Sequence, residues 1–138
     1  MGLIYTGGTF DLFHAGHVEF LKRCSRYGEV IVSLNTDEFM AEYKGKPPVM
    51  NLEERISVVE SCRYVAGTVA NIGGTDSTLA IELVEPELII VGSDWARRNY
   101  YGQMGFDQDW LDARGIGLMY LPYTTGISST EIKQRLSR

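Results

Sequence analysis

Short, continuous apolar runs recur along the chain at residues 3–6, 29–34, 65–70, 88–91 and 117–121. Each reads as a strand buried on both faces rather than one that alternates between core and solvent. Between them the apolar positions change to a helical rhythm. Residues 17–26 place Val18, Phe20, Leu21 and Cys24 on one stripe, and 36–43 follow Thr36 as an N-cap with Asp37 and Glu38 in the first turn. Asn51 caps a helix running to about Ser61, and 77–84, 108–114 and 128–136 supply three more. Lys44-Gly45-Lys46-Pro47-Pro48 interrupts the second and third helices, because proline lacks a donor and restricts the residue before it. Strands alternating with helices predict a doubly wound parallel sheet covered on both faces, with right-handed crossovers. Such sheets bind ligands at the C-terminal ends of their strands, where the loops after the first, fourth and fifth strands fall.

Composition narrows the class further. A chain of 138 residues, 44% hydrophobic and 22% charged, supports one domain with a proper core, spanning 1–138. No apolar run approaches the roughly 20 residues a membrane helix needs. No basic-then-apolar segment marks secretion, and two isolated cysteines suit a reducing compartment, so a cytoplasmic protein without membrane insertion is expected. The net charge of −5 argues against a nucleic-acid surface. An anionic ligand would need a local basic cluster, and Lys44, Lys46, Arg55 and Arg63 provide one.

The chemistry concentrates in Gly8-Thr9-Phe10-Asp11-Leu12-Phe13-His14-Ala15-Gly16-His17, directly after the first strand. His14 and His17 are the only histidines in the chain. Three residues apart, they sit at the start of a helix, the end with free N–H groups and the positive pole of the dipole, which attracts phosphate. A zinc site would need further ligands, and Cys24 and Cys62 stand alone. No metal ligand is expected from side chains. Gly7 and Gly8 allow close backbone approach to phosphate.

The His14-Ala15-Gly16-His17 segment resembles the HxGH class of nucleotidyltransferases, and the small cytidylyltransferases within it match best. Arg63-Tyr64-Val65, Gly92-Ser93-Asp94-Trp95 and Gly126-Ile127-Ser128-Ser129-Thr130 resemble, in order and rough spacing, three further segments of that family. The resemblance implies a Rossmann-like sheet of five parallel strands in the order 3-2-1-4-5. It also implies transfer of CMP from CTP to a small phosphorylated alcohol such as glycerol 3-phosphate, with release of pyrophosphate. His14 and His17 would then stabilise the reacting phosphoryl group, with Lys44 and Lys46 at the triphosphate and acceptor phosphate. Gly8, Thr9, Phe10, Asp11, Gly16, Arg63, Asp94, Trp95, Gly126, Ile127, Ser128, Ser129 and Thr130 would form the nucleotide site. For Asp11 a purely structural hydrogen bond is the competing reading. A homodimer is implied near the HxGH and Arg63-Tyr64-Val65 segments. Mg²⁺ is expected as cofactor, because a departing pyrophosphate needs more charge neutralisation than a few side chains supply.

Two departures from the family pattern stand out. Tyr123 occupies a position where an arginine is common, so one phosphate-binding cation is missing. Residues 96–114 are longer than a compact member needs, and read either as a surface insertion or as a lid that recognises the acceptor through Arg97 or Arg98. Arg55 is a further acceptor candidate or an ordinary surface charge. Two rival functions remain: an adenylyltransferase using ATP and a sugar phosphate, as in ADP-heptose synthesis, and a nucleotide-binding sensor without turnover.

Overall fold

All strand pairings in the computed structural model are parallel, in one five-stranded sheet of order β3-β2-β1-β4-β5. The structure describes residues 2–93, 100–122 and 127–138, apart from the side chains of Tyr100 and Gln103. The strands are β1 (Leu3–Gly8), β2 (Glu29–Asn35), β3 (Gly67–Asn71), β4 (Leu88–Gly92) and β5 (Gly117–Leu121). They alternate with α1 (Ala15–Cys24), α2 (Asp37–Lys44), α3 (Leu52–Glu60), α4 (Thr78–Val84), α5 (Tyr100–Met104) and α6 (Gln108–Arg114), and α7 (Ser129–Leu136) follows β5. The chain runs from β1 outward to β2 and β3, then crosses back to β4 and β5, so the order reverses between β1 and β4. That reversal opens a crevice at the C-terminal strand ends.

Burial on both faces explains the apolar runs of the central strands, whereas the edge strands β3 and β5, expected to be buried alike, are only partly covered because each has a neighbour on one side alone. Ile4 and Ile90 join Phe20, Leu21, Cys24 and Val59 on the face covered by α1 and α3. Their strand neighbours Tyr5, Ile89 and Val91 join Ala80, Ile81, Val84 and Leu111 on the face covered by α4 and α6. Ile89 and Ile90 are both 0% exposed although they point opposite ways. Each such side chain contributes about 1.5–3 kcal/mol through burial. Right-handed crossovers require this division, since reversing the direction of travel across the sheet moves the connecting helices to the other face.

The local signals act where the sequence places them. Thr36 and Asn51 cap α2 and α3 by accepting from Phe39 N and Glu54 N, at 3.2 and 2.9 Å. Two expectations need correction. First, α1 begins at Ala15 rather than His17, because His14 itself is the cap. Second, the part of 96–114 that includes α6 is not a surface segment throughout. Phe106 and Leu111 are buried at 7% and 0% exposure and belong to the second core, and the short helix α5 has no counterpart in the apolar pattern of the sequence.

Candidate active site

β1 ends at the crevice, and the loop that follows turns back on itself before α1. Two of its residues, Phe10 and Leu12, adopt left-handed conformations at φ 53° and 51°. For residues with a Cβ this costs on the order of 1 kcal/mol each and persists only where surrounding bonds hold it. Gly8 has a role other than bare phosphate access: a Cβ there would meet the Phe10 ring at 2.9 Å. At Gly16 a Cβ would meet the His14 ring and Ile127 at 3.0 Å, so the glycine between the two histidines lets α1 and the segment before α7 close on the same spot.

The histidines form a reciprocal cap. His14 Nδ1 accepts from Gly16 N at 3.1 Å, and His17 Nδ1 accepts from His14 N at 3.2 Å. A backbone N–H donating to Nδ1 requires a lone pair there, so in each neutral ring the proton sits on Nε2. The rings stack at 3.8 Å between centroids, and Phe13 stacks on the other side of His17 at 5.4 Å. Burial lowers the pKa of both. His17 falls to about 4, with His14 adding to the drop and the Asp11 charge opposing it. Near neutral pH the pair is therefore two neutral N–H donors with fixed tautomers.

Both rings line a cleft of about 430 Å³. Its floor is Thr6 to Phe10 with Val91 and Gly92 of β4, and its far wall is Ile127, Ser128 and Ser129. Ser128 caps α7 by accepting from Glu131 N at 3.1 Å, while Ser129 Oγ donates to the Asp11 carbonyl at 2.8 Å. The start of α7 is thereby tied to the histidine loop. The Thr9 hydroxyl is already engaged, accepting from Asn35 Nδ2 at 3.1 Å and donating to Met40 Sδ at 3.2 Å, so it is not free for a ligand in the cleft.

Other expected residues are placed differently. The Asp11 carboxylate accepts from Val49 N at 2.8 Å and Met50 N at 2.9 Å, and also from Leu12 N. This is the structural reading: Asp11 binds the chain that follows Lys44 and Lys46 to the histidine loop. Lys44 and Lys46 are exposed and do not line the cleft; α2 ends at Gly45, whose φ of 82° suits glycine. Thr130 is exposed and also outside the lining. Arg55 is neither a surface charge nor free for an acceptor. It is 0% exposed and bonded to Met50 O, Thr9 O, Asn35 O and Asp37. A helical wheel would have flagged it, since position 55 shares the apolar stripe of Leu52, Ile56 and Val59. Arg63 is exposed in the turn before β3 and absent from the cleft. Ala66 N donates to Val30 O, which sets that turn at the N-terminal edge of the sheet, the end away from the cleft. Asp94, Trp95, Arg97, Arg98, Tyr123 and Gly126 lie outside the described residues.

Among the described residues no group of three or more His, Cys, Asp or Glu side chains is placed to hold a metal ion, and both Asp11 oxygens are occupied by backbone donors. Nor is any helix among the described residues long and apolar enough to cross a membrane.

Paired neutral N–H donors at a helix start, lining a glycine-edged cleft at the reversal point of a parallel sheet, suit a ligand on which negative charge develops. The cytidylyltransferase-like family profile matches residues 5–135, and the chain belongs to that family. The glycerol-3-phosphate cytidylyltransferase of Staphylococcus aureus is 35% identical over 137 residues, spanning 99% of this chain and 96% of the relative. The FAD synthase of Pyrococcus horikoshii is 39% identical over 92 residues, 66% of this chain and 62% of the relative. A lipopolysaccharide core biosynthesis protein from Thermoplasma volcanium superimposes with a TM-score of 0.68 at 22% identity, over 88% of this chain and 98% of its own, and shares the fold.

Proposed function

We propose that the protein transfers CMP from CTP to a small phosphorylated alcohol, glycerol 3-phosphate or a close analogue, releasing pyrophosphate. The observation that carries the reading is the His14–His17 pair, with both Nδ1 atoms occupied by backbone donors and both rings on the cleft. The near full-length similarity to a glycerol-3-phosphate cytidylyltransferase supports the substrates. A phosphate oxygen of the acceptor forms a bond to the α-phosphorus of CTP as the bond from that phosphorus to the bridging oxygen breaks, and pyrophosphate leaves with the electron pair. Charge grows on the α-phosphoryl oxygens and the leaving group. The two Nε2–H groups, the backbone at Thr9 and Phe10, and the start of α7 at Ser128 and Ser129 answer that charge without reorganising. Lys44, at the end of α2, and Lys46, in the chain that leads to the Asp11-bound Val49 and Met50, lie outside the cleft lining and would have to swing in to meet the triphosphate. A pyrophosphate-release screen of CTP and ATP against phosphorylated alcohols and sugar phosphates tests this. Turnover with CTP and a phospho-alcohol supports it, and release with ATP alone overturns it in favour of an adenylyltransferase, the reading favoured by the FAD synthase similarity. Pyrophosphate release with any acceptor also removes a sensor role.

Three finer points belong to the same reading. Mg²⁺, carried by the triphosphate, supplies charge neutralisation at the leaving group, so activity should vanish in excess chelator and return on adding Mg²⁺. Full activity in the chelator would count against it. A cytoplasmic homodimer is proposed from the family resemblance, with Arg63 and Tyr64 near the interface. Light scattering at tens of micromolar should report twice the chain mass, and a monomer would contradict it. Acceptor recognition by Arg97 and Arg98 is retained for that pair alone, because residues 106 and 111 are core. Charge-assisted phosphate contacts contribute about 1.5–3 kcal/mol, so Arg97→Ala or Arg98→Ala should raise the acceptor KM roughly tenfold to a hundredfold and leave the nucleotide KM nearly unchanged. Equal losses for both substrates would reject it.

A further inference from the structure

Arg55 presents an unusual arrangement: a guanidinium with no solvent exposure, near the start of α3, bonded to four residues in three separate stretches of chain. Nε donates to Met50 O at 3.0 Å, Nη1 to Thr9 O at 2.9 Å and Asn35 O at 2.8 Å, and Nη2 to the Asp37 carboxylate at 2.7 Å. A core position of this kind is normally apolar, and a buried ion pair is weak evidence for stability. The bond to Thr9 O has a geometric consequence. In a trans peptide the carbonyl and the following N–H point in opposite directions. Holding Thr9 C=O toward Arg55 therefore turns the Phe10 N–H away from it, on a segment that lines the cleft. Among the described residues the Phe10 N–H has no hydrogen-bond acceptor, although Phe10 as a whole is only 8% exposed. Phe10 is also one of the left-handed residues, so this peptide does not hold its orientation by local preference.

We propose that Arg55 is a positioning residue for nucleotide phosphate: by gripping the carbonyls of Thr9 and Met50 it aims the Phe10 N–H into the cleft and ties the chain before α3 to the same loop. The inference rests on the cleft being a triphosphate site, as in the proposed function. Lysine cannot replace arginine here, because a single ammonium nitrogen cannot span acceptors that the planar fork reaches on several sides. Aspartate 37 completes the device by neutralising the buried charge, and its carboxylate also accepts from Leu52 N at 3.1 Å.

The test uses inorganic triphosphate as the probe, so that the choice between CTP and ATP does not affect the readout. Calorimetry on Arg55→Lys, at a temperature where circular dichroism shows it folded, should give a Kd roughly tenfold to a hundredfold weaker than wild type. The amide resonance of Phe10, assigned in ¹⁵N-labelled protein, should move on triphosphate addition in wild type and respond weakly in the variant. In turnover, kcat/KM for the nucleotide should fall by the same factor while the acceptor KM changes by less than about threefold. A residue that only stabilises the fold would lower Tm and leave these three quantities alone. If Arg55→Lys does not fold, Asp37→Asn supplies the test, with a Kd roughly threefold to tenfold weaker and a shifted Phe10 amide. Wild-type affinity and a Phe10 amide that responds to triphosphate as in wild type in the folded variant overturn the positioning role alone. No triphosphate binding by wild type overturns it together with the proposed function.

Discussion

Replacing His14 with asparagine should leave α1 capped and the protein folded while kcat falls roughly a hundredfold to a thousandfold. Asparagine is among the best N-cap residues, so it can take over the bond that His14 Nδ1 accepts from Gly16 N at 3.1 Å. It cannot place a donor where the imidazole Nε2–H stands. His17→Gln should behave alike, because glutamine at the third helical position can accept from the His14 backbone as His17 Nδ1 does at 3.2 Å. Each loss corresponds to about 2.7–4 kcal/mol of transition-state stabilisation, the cost of removing one preorganised donor. Stability measured by urea unfolding should change by less than about 1 kcal/mol in either variant. Specific activity near wild type in either folded variant would reduce the pair to a helix cap. The same geometry makes stability depend on pH. Protonating Nδ1 breaks the cap, and His17 has its folded pKa lowered to about 4. A histidine whose folded pKa lies below the unfolded value of about 6.5 costs stability as the pH falls through that interval. The loss at His17 reaches about 3 kcal/mol at most, and His17→Gln should flatten the slope between those pH values.

Asp11→Ala should reduce kcat/KM roughly a hundredfold and destabilise the protein by about 3 kcal/mol. The Asp11 carboxylate is the acceptor for Val49 N and Met50 N, at 2.8 and 2.9 Å, and hydrogen bonds to a charged group contribute about 1.5–3 kcal/mol each. Without it, two backbone donors lose their partner and the chain after Lys46 is released from the histidine loop. Arg55 would still hold Met50 O, so the loop loosens rather than detaches. Asp11→Asn should be intermediate, since an amide keeps one oxygen to accept and turns a donor toward the other N–H. Both the KM for nucleotide and kcat should suffer, because a loosened lysine loop weakens ground-state and transition-state phosphate contacts together. A folded Asp11→Ala protein with wild-type kinetics would show that this tie does not position the lysines.

Much of the architecture was legible in the chain because a strand buried on both faces must be apolar throughout. That requirement wrote β1 and β4 into runs such as Leu88–Gly92, whose core residues Ile89, Ile90 and Val91 face opposite layers. Caps were legible for the same local reason: Thr36, Asn51 and Ser128 each accept from an N–H three residues ahead. The histidine pair and the serines at the start of α7 drew attention through residue type and position at helix starts, and they line one cleft. The distant bonds were not legible. Arg55 reaches Thr9 O across 46 positions, and Ser129 reaches Asp11 O across 118, distances along the chain that only strand order and crossover direction make short in space. Tertiary structure likewise removed Arg63 from the cleft, since parallel strands put a residue preceding β3 at the edge opposite to one following β1. It made a core layer of Phe106 and Leu111, where the sequence suggested a surface segment. Apolar periodicity records which face of an element is buried. Which charged group stands beside which phosphate-binding backbone depends on how the elements pack, and that is fixed only when the whole sheet assembles.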